Sequence, residues 1–213
     1  MITLVGGTKG GPGKSTVVTN IGAALAHQGK SVILVDADKQ RSLSKWHARR
    51  VDAGVEPAMT LVEKRGNVHA ALRDLDKLYD HVIVDVAGDD NQEMRTAMTA
   101  ADLMIVVLRA SQFDVETLEE FDEVISTARD FNPDLEVRSL LSQAPTNHNE
   151  TETEDVSEFI VEYPQVKPLE TVLYSRKAYR DAAAPGLGVM ELPVSKAKQA
   201  RAEIQELTAE VYG

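Results

Sequence analysis

The sequence has no cysteine, few aromatic residues and no long hydrophobic run. Without thiols, a disulfide scaffold, a thiolate zinc site, a cysteine-ligated iron–sulfur cluster and cysteine nucleophilic catalysis are all excluded. The longest unbroken apolar run is Leu103–Leu108, far short of the roughly 20 residues that a membrane-spanning helix needs. The first residues show neither the basic segment nor the apolar stretch of a signal peptide, so a cytoplasmic protein is expected.

Length and charge narrow the possible class of protein further. The chain has 213 residues, 43% hydrophobic and 27% charged, which predicts one folded domain. The formal net charge is -11, but it is unevenly distributed. Residues 111–163 carry roughly fifteen acidic side chains against two basic ones, whereas residues 167–201 carry roughly seven basic side chains against three acidic ones. A local basic surface is therefore compatible with an acidic protein.

Short β-branched runs alternate with longer amphipathic stretches along the whole chain. This pattern predicts an α/β fold with a mostly parallel, twisted β-sheet flanked by helices on both faces. The predicted strands are Ile2–Gly7, Ser31–Asp36, Met59–Val62, His81–Asp85, Leu103–Leu108, Glu136–Leu141 and Pro168–Val172. The predicted helices are Ser15–His27, Ser42–Val51, Val68–Leu78, Gln92–Ala101, Val115–Phe131, Glu154–Val161, Arg176–Ala183 and Ser195–Val211.

A glycine-rich segment, residues 8–16 (the phosphate loop), joins the first strand to the first helix. Its glycines let backbone N–H groups converge on phosphate oxygens, and the start of the helix adds the positive end of its dipole. In this interpretation Lys14 bridges the β- and γ-phosphates and the Ser15 hydroxyl ligates Mg²⁺. The alternative is a plain strand-to-helix turn. The predicted nucleotide-binding residues are Gly10, Gly11, Pro12, Gly13, Lys14, Ser15 and Thr16.

Acidic residues follow two of the apolar strands. Asp36 ends one strand, and Asp38 comes two residues later. Asp85 ends another strand and precedes Gly88, which looks like a Walker B motif. Carboxylates at these strand ends face the crevice where α/β proteins bind ligands. Asp85 would therefore hold a water on Mg²⁺, and the Gly88 amide would sense the γ-phosphate as a switch. For Asp38, the alternative to a role in the ligand site is that its side chain is the N-cap of the helix near Ser42.

The segment from Lys9 to Ser15 resembles the deviant Walker A motif of the ParA/MinD family of ATPases, with Thr8 where the strict P-loop has glycine. Residues 36–40 resemble the Asp-x-Asp-Pro-Gln signature of the family, with Lys39 in the proline position. The resemblance implies a P-loop NTPase fold, ATP and Mg²⁺ as cofactors, and catalytic roles for Lys9, Lys14 and Asp38. Lys9 would reach the nucleotide of the other subunit in a dimer, and Asp38 would orient the attacking water. The implied metal site comprises Ser15, Asp36 and Asp85.

The resemblance extends over the whole chain and is strongest to a short ParA-type partition ATPase. This chain is therefore expected to be a single domain over residues 1–213 without an N-terminal DNA-binding extension. It implies an ATP-dependent homodimer that binds DNA non-specifically on the nucleoid, and hydrolysis stimulated by a ParB-like or other small adaptor protein. Phosphate contacts require only positive charge and reach, whereas the alternative for basic residues is a solvated helix face. The candidates for DNA binding are Arg176, Lys177, Arg180, Lys196, Lys198 and Arg201.

Proteins with other functions carry the same type of loop. A ParA-like ATPase that positions a non-DNA cargo, such as a protein compartment or receptor array, stays open because only the partner differs. A MinD-like membrane ATPase is less favoured, since residues 202–213 are acidic and weakly hydrophobic, and no membrane partner is expected. A nitrogenase-type reductase needs the missing cysteines, and a small-molecule ligase of this fold would not need Lys9.

Overall fold

The computed structural model describes residues 1–7, 11, 13–109, 112–146 and 163–213, with the backbone alone for residues 112–120. One parallel sheet contains the strands β1 (Ile2–Gly6), β2 (Val32–Asp36), β3 (Thr60–Glu63), β4 (His81–Asp85), β5 (Leu103–Arg109), β6 (Glu136–Ala144) and β7 (Lys167–Tyr174). Their order is β3-β2-β4-β1-β5-β6-β7. Because every pair is parallel, all strands end at the same edge of the sheet.

Helices connect these strands. Those among the described residues are α1 (Lys14–His27), α2 (Ser42–Asp52), α3 (His69–Asp76), α4 (Gln92–Met98), α5 (Gln112–Arg129), α6 (Lys177–Ala183), α7 (Val194–Tyr212) and a 3-10 helix, Val189–Glu191. None of these described helices combines the length and apolar character needed to cross a membrane. The predicted helix Glu154–Val161 lies outside the described residues. The 3-10 helix was not predicted, and every other described element begins and ends within three residues of its predicted bounds.

Two apolar layers pack against the sheet, one on each face. Helices α3, α4 and α5 cover one face, where Leu72 and Met94 belong to the same buried cluster as Val84 of β4. Helices α1, α2, α6 and α7 cover the other face, where Ile21 and Ile204 share a cluster with other strand residues. Each fully buried side chain of this kind contributes about 1.5–3 kcal/mol. The predicted α/β class with helices on both faces is confirmed.

Helix α4 is shorter than predicted because of a contact distant in sequence. It stops at Met98 rather than Ala101. Asp102, which directly follows Ala101, is fixed against β1. Its N–H donates to the Ile2 carbonyl oxygen at 2.9 Å, and its Oδ2 accepts from the Ile2 N–H at 2.6 Å. The chain must therefore leave the helix early to reach the sheet.

Strand β6 is longer than predicted. It continues beyond Leu141 to Ala144, because Ser142 pairs with Arg109 of β5 and Ala144 pairs with Tyr174 of β7. The extension carries polar residues past the predicted strand end to the edge of the sheet where β1 leads into α1.

Asn132 supports the end of α4 from the loop after α5. Its side chain is buried, and Nδ2 donates to the carbonyl oxygens of Met98 and Ala101, both at 2.8 Å. In Asn132→Ala both carbonyls lose this buried donor, so we expect the free energy of unfolding to fall by about 2–3 kcal/mol. Urea denaturation measures the change. Exposed Gln205→Ala is the control, expected within about 0.5 kcal/mol of the wild type, and a similarly small effect of Asn132→Ala would contradict this role.

Candidate functional site

Three neighbouring strands end at the predicted site, two of them in predicted metal ligands. In the order β2-β4-β1, the last residues are Asp36, Asp85 and Gly6. In the β2–β4 pairing, Asp36 lies opposite Asp85. The sheet therefore places two carboxylates beside the loop that leaves β1, at the edge where α/β proteins bind ligands.

The loop after β1 leads directly into α1. Gly11 and Gly13 have φ angles of 95° and 100°, a left-handed conformation that favours glycine. A Cβ on Gly13 would also lie 3.2 Å from the Ser142 hydroxyl. Because Gly13 is the N-cap, no side chain caps the first turn of α1, an arrangement that suits phosphate at a helix N-terminus. Three other residues of the predicted loop lie outside the described residues: Lys9, Gly10 and Pro12.

Lys14 begins α1, and only 7% of the residue is exposed. Burial lowers the pKa of Lys14, while the nearby carboxylates of Asp85 and Asp38 oppose that shift. The ammonium group therefore lies among the acidic strand ends rather than in solvent. A compact positive charge at the start of a phosphate-binding helix is suited to bind a polyphosphate.

Ser15 and Asp85, two of the three residues predicted to bind Mg²⁺, are in direct contact. Ser15 Oγ donates to Asp85 Oδ2 at 2.6 Å. Asp85 is 1% exposed, and its Oδ1 has no hydrogen-bond partner in the described part of the chain. Burial raises the pKa of the Asp85 carboxyl to about 7. An unpartnered buried carboxylate oxygen beside a hydroxyl is the type of donor set that Mg²⁺ binds, so these residues fit the predicted metal.

Asp36 is fully buried, and both of its carboxylate oxygens accept hydrogen bonds within the protein. Oδ1 accepts from the Asp38 N–H at 3.0 Å. Oδ2 accepts from the N–H and the hydroxyl of Ser44, at 2.8 Å and 2.6 Å. Asp36 therefore shapes the turn that carries Asp38 and holds the first turn of α2.

Asp38 lies half-buried in the turn between β2 and α2, close enough to Lys14 to influence its pKa. Its Oδ1 accepts from the Gln40 N–H at 2.9 Å. The alternative interpretation of Asp38 as the N-cap of α2 is wrong. Arg41 occupies that position, and Asp36 supplies the side chain that binds the first turn.

The loop between β4 and α4 carries the predicted switch residue, Gly88. Helix α4 begins after Asn91, whose Oδ1 accepts from the Met94 N–H at 2.8 Å. Asp89 in the same loop is near enough to Lys14 to oppose the lowering of its pKa. The loop therefore adjoins the start of α1.

A cavity of about 250 Å³ opens beside the phosphate loop, in a region where the sequence analysis assigned no contacts to the nucleotide base. Its walls include Thr16, Ser142, Tyr174 and Arg180. Gln143 also lines it, adopts a φ of 58°, and donates from Nε2 to the Gly11 carbonyl oxygen at 3.0 Å. The polar pair after the apolar run of β6 is the sequence signal that could have identified this side of the site.

The residues predicted to bind DNA lie around the starts of α6 and α7. They are Arg176, Lys177, Arg180, Lys196, Lys198 and Arg201. A groove of about 570 Å³ separates the two helix starts, and exposed Lys177, Lys196 and Lys198 line it. Lys177 pairs with Asp181 on its own helix at 2.8 Å. Exposed Arg180 lines the cavity beside the phosphate loop instead.

Two of these basic residues are held within the fold. Arg176 donates from Nε to Glu203 and from Nη1 to Gln199 at 2.7 Å, so it attaches the start of α6 to α7. Arg201 donates to backbone carbonyl oxygens at the 3-10 helix. Their contribution to an exposed positive surface is smaller than that of the groove lysines.

Comparison with known proteins identifies the class. A family model described as VirC1 protein matches residues 1–210. The maintenance of carboxysome distribution protein A of Halothiobacillus neapolitanus is 30% identical over 212 residues, covering 97% of this chain and 94% of the relative. Relatives named ParA match over shorter spans. The chain belongs to the VirC1 protein family, and the prediction of a ParA-type ATPase is confirmed.

Solved structures agree with this assignment. An apo McdA from Cyanothece has a TM-score of 0.80 at 18% identity, covering 100% of this chain and 99% of that chain, which confirms the fold. A cobyrinic acid a,c-diamide synthase from Mycobacterium smegmatis, with bound ADP and magnesium, has a TM-score of 0.70 at 27% identity and covers 86% of this chain and 92% of that chain. Its ligands agree with the predicted adenine nucleotide and Mg²⁺.

Proposed function

We propose that this chain is a Mg-ATP-dependent switch. ATP binding drives a homodimer, the dimer binds DNA without sequence recognition, and hydrolysis stimulated by a ParB-like or other adaptor protein releases it. The observation that carries the proposal is the unpartnered Oδ1 of buried Asp85 beside Ser15, at the start of the helix that follows the phosphate loop. The ParA relatives support the switch cycle.

The residues of the phosphate loop and strand ends have distinct roles in this proposal. The N–H groups that follow Gly13 bind phosphate oxygens, and Lys14 neutralises charge on the β- and γ-phosphates. Ser15 and Asp85 hold Mg²⁺, which supplies charge neutralisation at the transferring phosphoryl group. Asp38 orients the attacking water. Asp36 supports the metal site through the backbone that it fixes.

Three further assignments complete the nucleotide site. The cavity beside Ser142 and Gln143 receives the nucleoside. Gly88 senses the γ-phosphate through its amide, because its loop adjoins the start of α1. Lys9 acts on the nucleotide of the other subunit, so hydrolysis requires the dimer.

The groove between the starts of α6 and α7 is the proposed DNA surface. Lys196 and Lys198 are exposed, and neither has an ion-pair partner among the described residues. Phosphate contacts from such side chains give affinity without sequence recognition and make binding weaken with salt.

A charge reversal tests this surface. In Lys196→Glu/Lys198→Glu, we expect the affinity for a random-sequence duplex to fall at least about tenfold and the salt slope to shrink by about two, since each phosphate contact contributes about one. ATP-driven dimerisation should persist. Electrophoretic mobility shifts across a salt series measure the first effect and light scattering the second.

The matched control is Lys30→Glu/Lys167→Glu, which makes the same charge change at exposed positions near the opposite edge of the sheet. It should retain nearly wild-type affinity. Equal losses in the two double variants would mean that net charge, rather than the groove, determines binding.

In the version of the proposed function that we prefer, the switch positions a protein assembly. The relative named for carboxysome distribution covers 97% of this chain, which supports such a cargo. A ParA from Caulobacter vibrioides, 28% identical over 66% of this chain, supports DNA partition as the alternative. Deleting the gene in its native host distinguishes them: misplaced protein assemblies with normal DNA inheritance support the first, and loss of a plasmid or chromosome supports the second.

A further inference from the structure

Arg65, in the loop after β3, lies against the turn that carries Asp38. Its Nη2 donates to the Asp38 carbonyl oxygen at 2.6 Å, and its Nη1 donates to the Asp36 carbonyl oxygen. Nη2 also lies 3.6 Å from the buried Asp36 carboxylate. The side chain is 32% exposed, so much of the guanidinium is withdrawn from water into this contact.

The two carbonyl contacts span the residues that set the direction of Asp38. From the other side, the Asp38 N–H donates to Asp36 Oδ1 at 3.0 Å. The backbone of the turn is therefore held through both its carbonyl and its amide groups. Since a planar guanidinium offers donors in a fixed fork, it can hold two carbonyls in one relative orientation, whereas a lysine ammonium offers a single nitrogen.

The loop that carries Arg65 is itself attached to α4. The Gly66 N–H donates to Glu93 Oε1 at 2.9 Å, and the Val68 N–H donates to Thr96 Oγ1 at 3.2 Å. Helix α4 follows the loop that contains Gly88. Arg65 thus extends from a segment that is fixed to α4, and it holds the turn between β2 and α2.

We propose that Arg65 is a positioning residue for ATP hydrolysis. It does not contact the nucleotide. It fixes the Asp36–Asp38 turn so that the Asp38 carboxylate points towards the water that attacks the γ-phosphate. The inference rests on the proposed function, because Asp38 must be the water-orienting residue for the position of the turn to affect turnover.

Kinetics of three variants test the inference. Arg65→Met removes the donors at similar length, and we expect the hydrolysis rate at saturating Mg-ATP to fall about 10- to 100-fold, since small misplacements of a reacting group are this costly. The Kd for ATP should stay within about twofold. Arg65→Lys should recover part of the rate, because it retains the charge and one donor nitrogen. Exposed Lys64→Met, at the adjacent position, should match the wild type.

Asp38→Ala, measured alongside, separates the inference from the function on which it rests. If Asp38→Ala is inactive and Arg65→Met hydrolyses ATP at the wild-type rate, the positioning role is overturned and the ATPase proposal stands. If Asp38→Ala retains wild-type turnover, the water-orienting role of Asp38, on which the inference rests, fails. The inference would also be overturned if Arg65→Lys, shown to be folded by circular dichroism, lost ATP affinity and hydrolysis rate to the same extent. Such a result would indicate a general defect of the site.

Discussion

Replacing Lys14 with alanine is expected to weaken Mg-ATP binding by at least about 30-fold. The Lys14 ammonium is buried among the carboxylates of Asp85 and Asp38, so bound phosphates would meet those negative charges without compensation in the variant. Removing one partner of a buried, hydrogen-bonded charge pair costs about 2–5 kcal/mol, which corresponds to this loss. Calorimetric titration with a non-hydrolysable ATP analogue and Mg²⁺ measures it.

Exposed Lys30→Ala is the matched control for that experiment. It removes the same charge beyond the end of α1, at the opposite edge of the sheet, and should bind the analogue like the wild type. Circular dichroism checks that both variants are folded. Tight binding of Mg-ATP by folded Lys14→Ala would contradict the phosphate-loop assignment.

Asp38→Ala is expected to lower the rate of ATP hydrolysis by about 10²–10³-fold while ATP still binds. The carboxylate proposed to orient the attacking water is lost, and a positioned acid–base group contributes about 10²–10⁴-fold. The ATP-bound dimer should therefore accumulate, detectable as a doubled mass by light scattering with ATP but not with ADP. Exposed Lys39→Ala, the next residue, is the control and should turn over normally.

Normal turnover by Asp38→Ala would move the water-orienting role to another group. Asp36 would be the first candidate by proximity, but both of its oxygens already accept hydrogen bonds from Asp38 and Ser44. A carboxylate so engaged has little freedom to orient a water. The geometry therefore favours Asp38 and explains why Asp36 is better suited to shape the turn.

The sheet and the phosphate loop could be predicted because their signals are local. Apolar runs that end in Asp36 and Asp85 mark the strand ends, and the parallel topology then brings the two carboxylates to opposite positions in neighbouring strands. The glycines before Lys14 similarly reveal a left-handed loop and the start of a helix. Each inference needs a few adjacent residues and one rule of chain geometry.

The roles of several charged residues could not be predicted, because they depend on partners distant in the sequence. Arg176 contacts Glu203 and Arg65 contacts Asp38, each across 27 residues. Composition shows their charge but not whether it is exposed or held within the fold. Arg176 was therefore predicted as part of a DNA surface, whereas nothing in the sequence distinguished Arg65 from any other loop arginine.

The cavity that we propose for the nucleoside could not be predicted for a related reason. Gln143 enters the site because β6 continues beyond its apolar run, and this extension depends on pairing with β5 and β7. The left-handed backbone of Gln143 then directs its amide towards Gly11. A strand end set by its neighbours is not visible in the residues of that strand alone.

Fluorescence anisotropy of a random-sequence DNA duplex, titrated with the protein at two salt concentrations, tests the nucleotide switch most directly. The titration is made with Mg-ATP, with Mg-ADP and without nucleotide. The proposed function predicts binding that requires Mg-ATP and weakens steeply as salt rises, because the dimer contacts phosphates. Binding of equal strength in all three nucleotide states, or no binding in any of them, would contradict a nucleotide-switched DNA-binding ATPase.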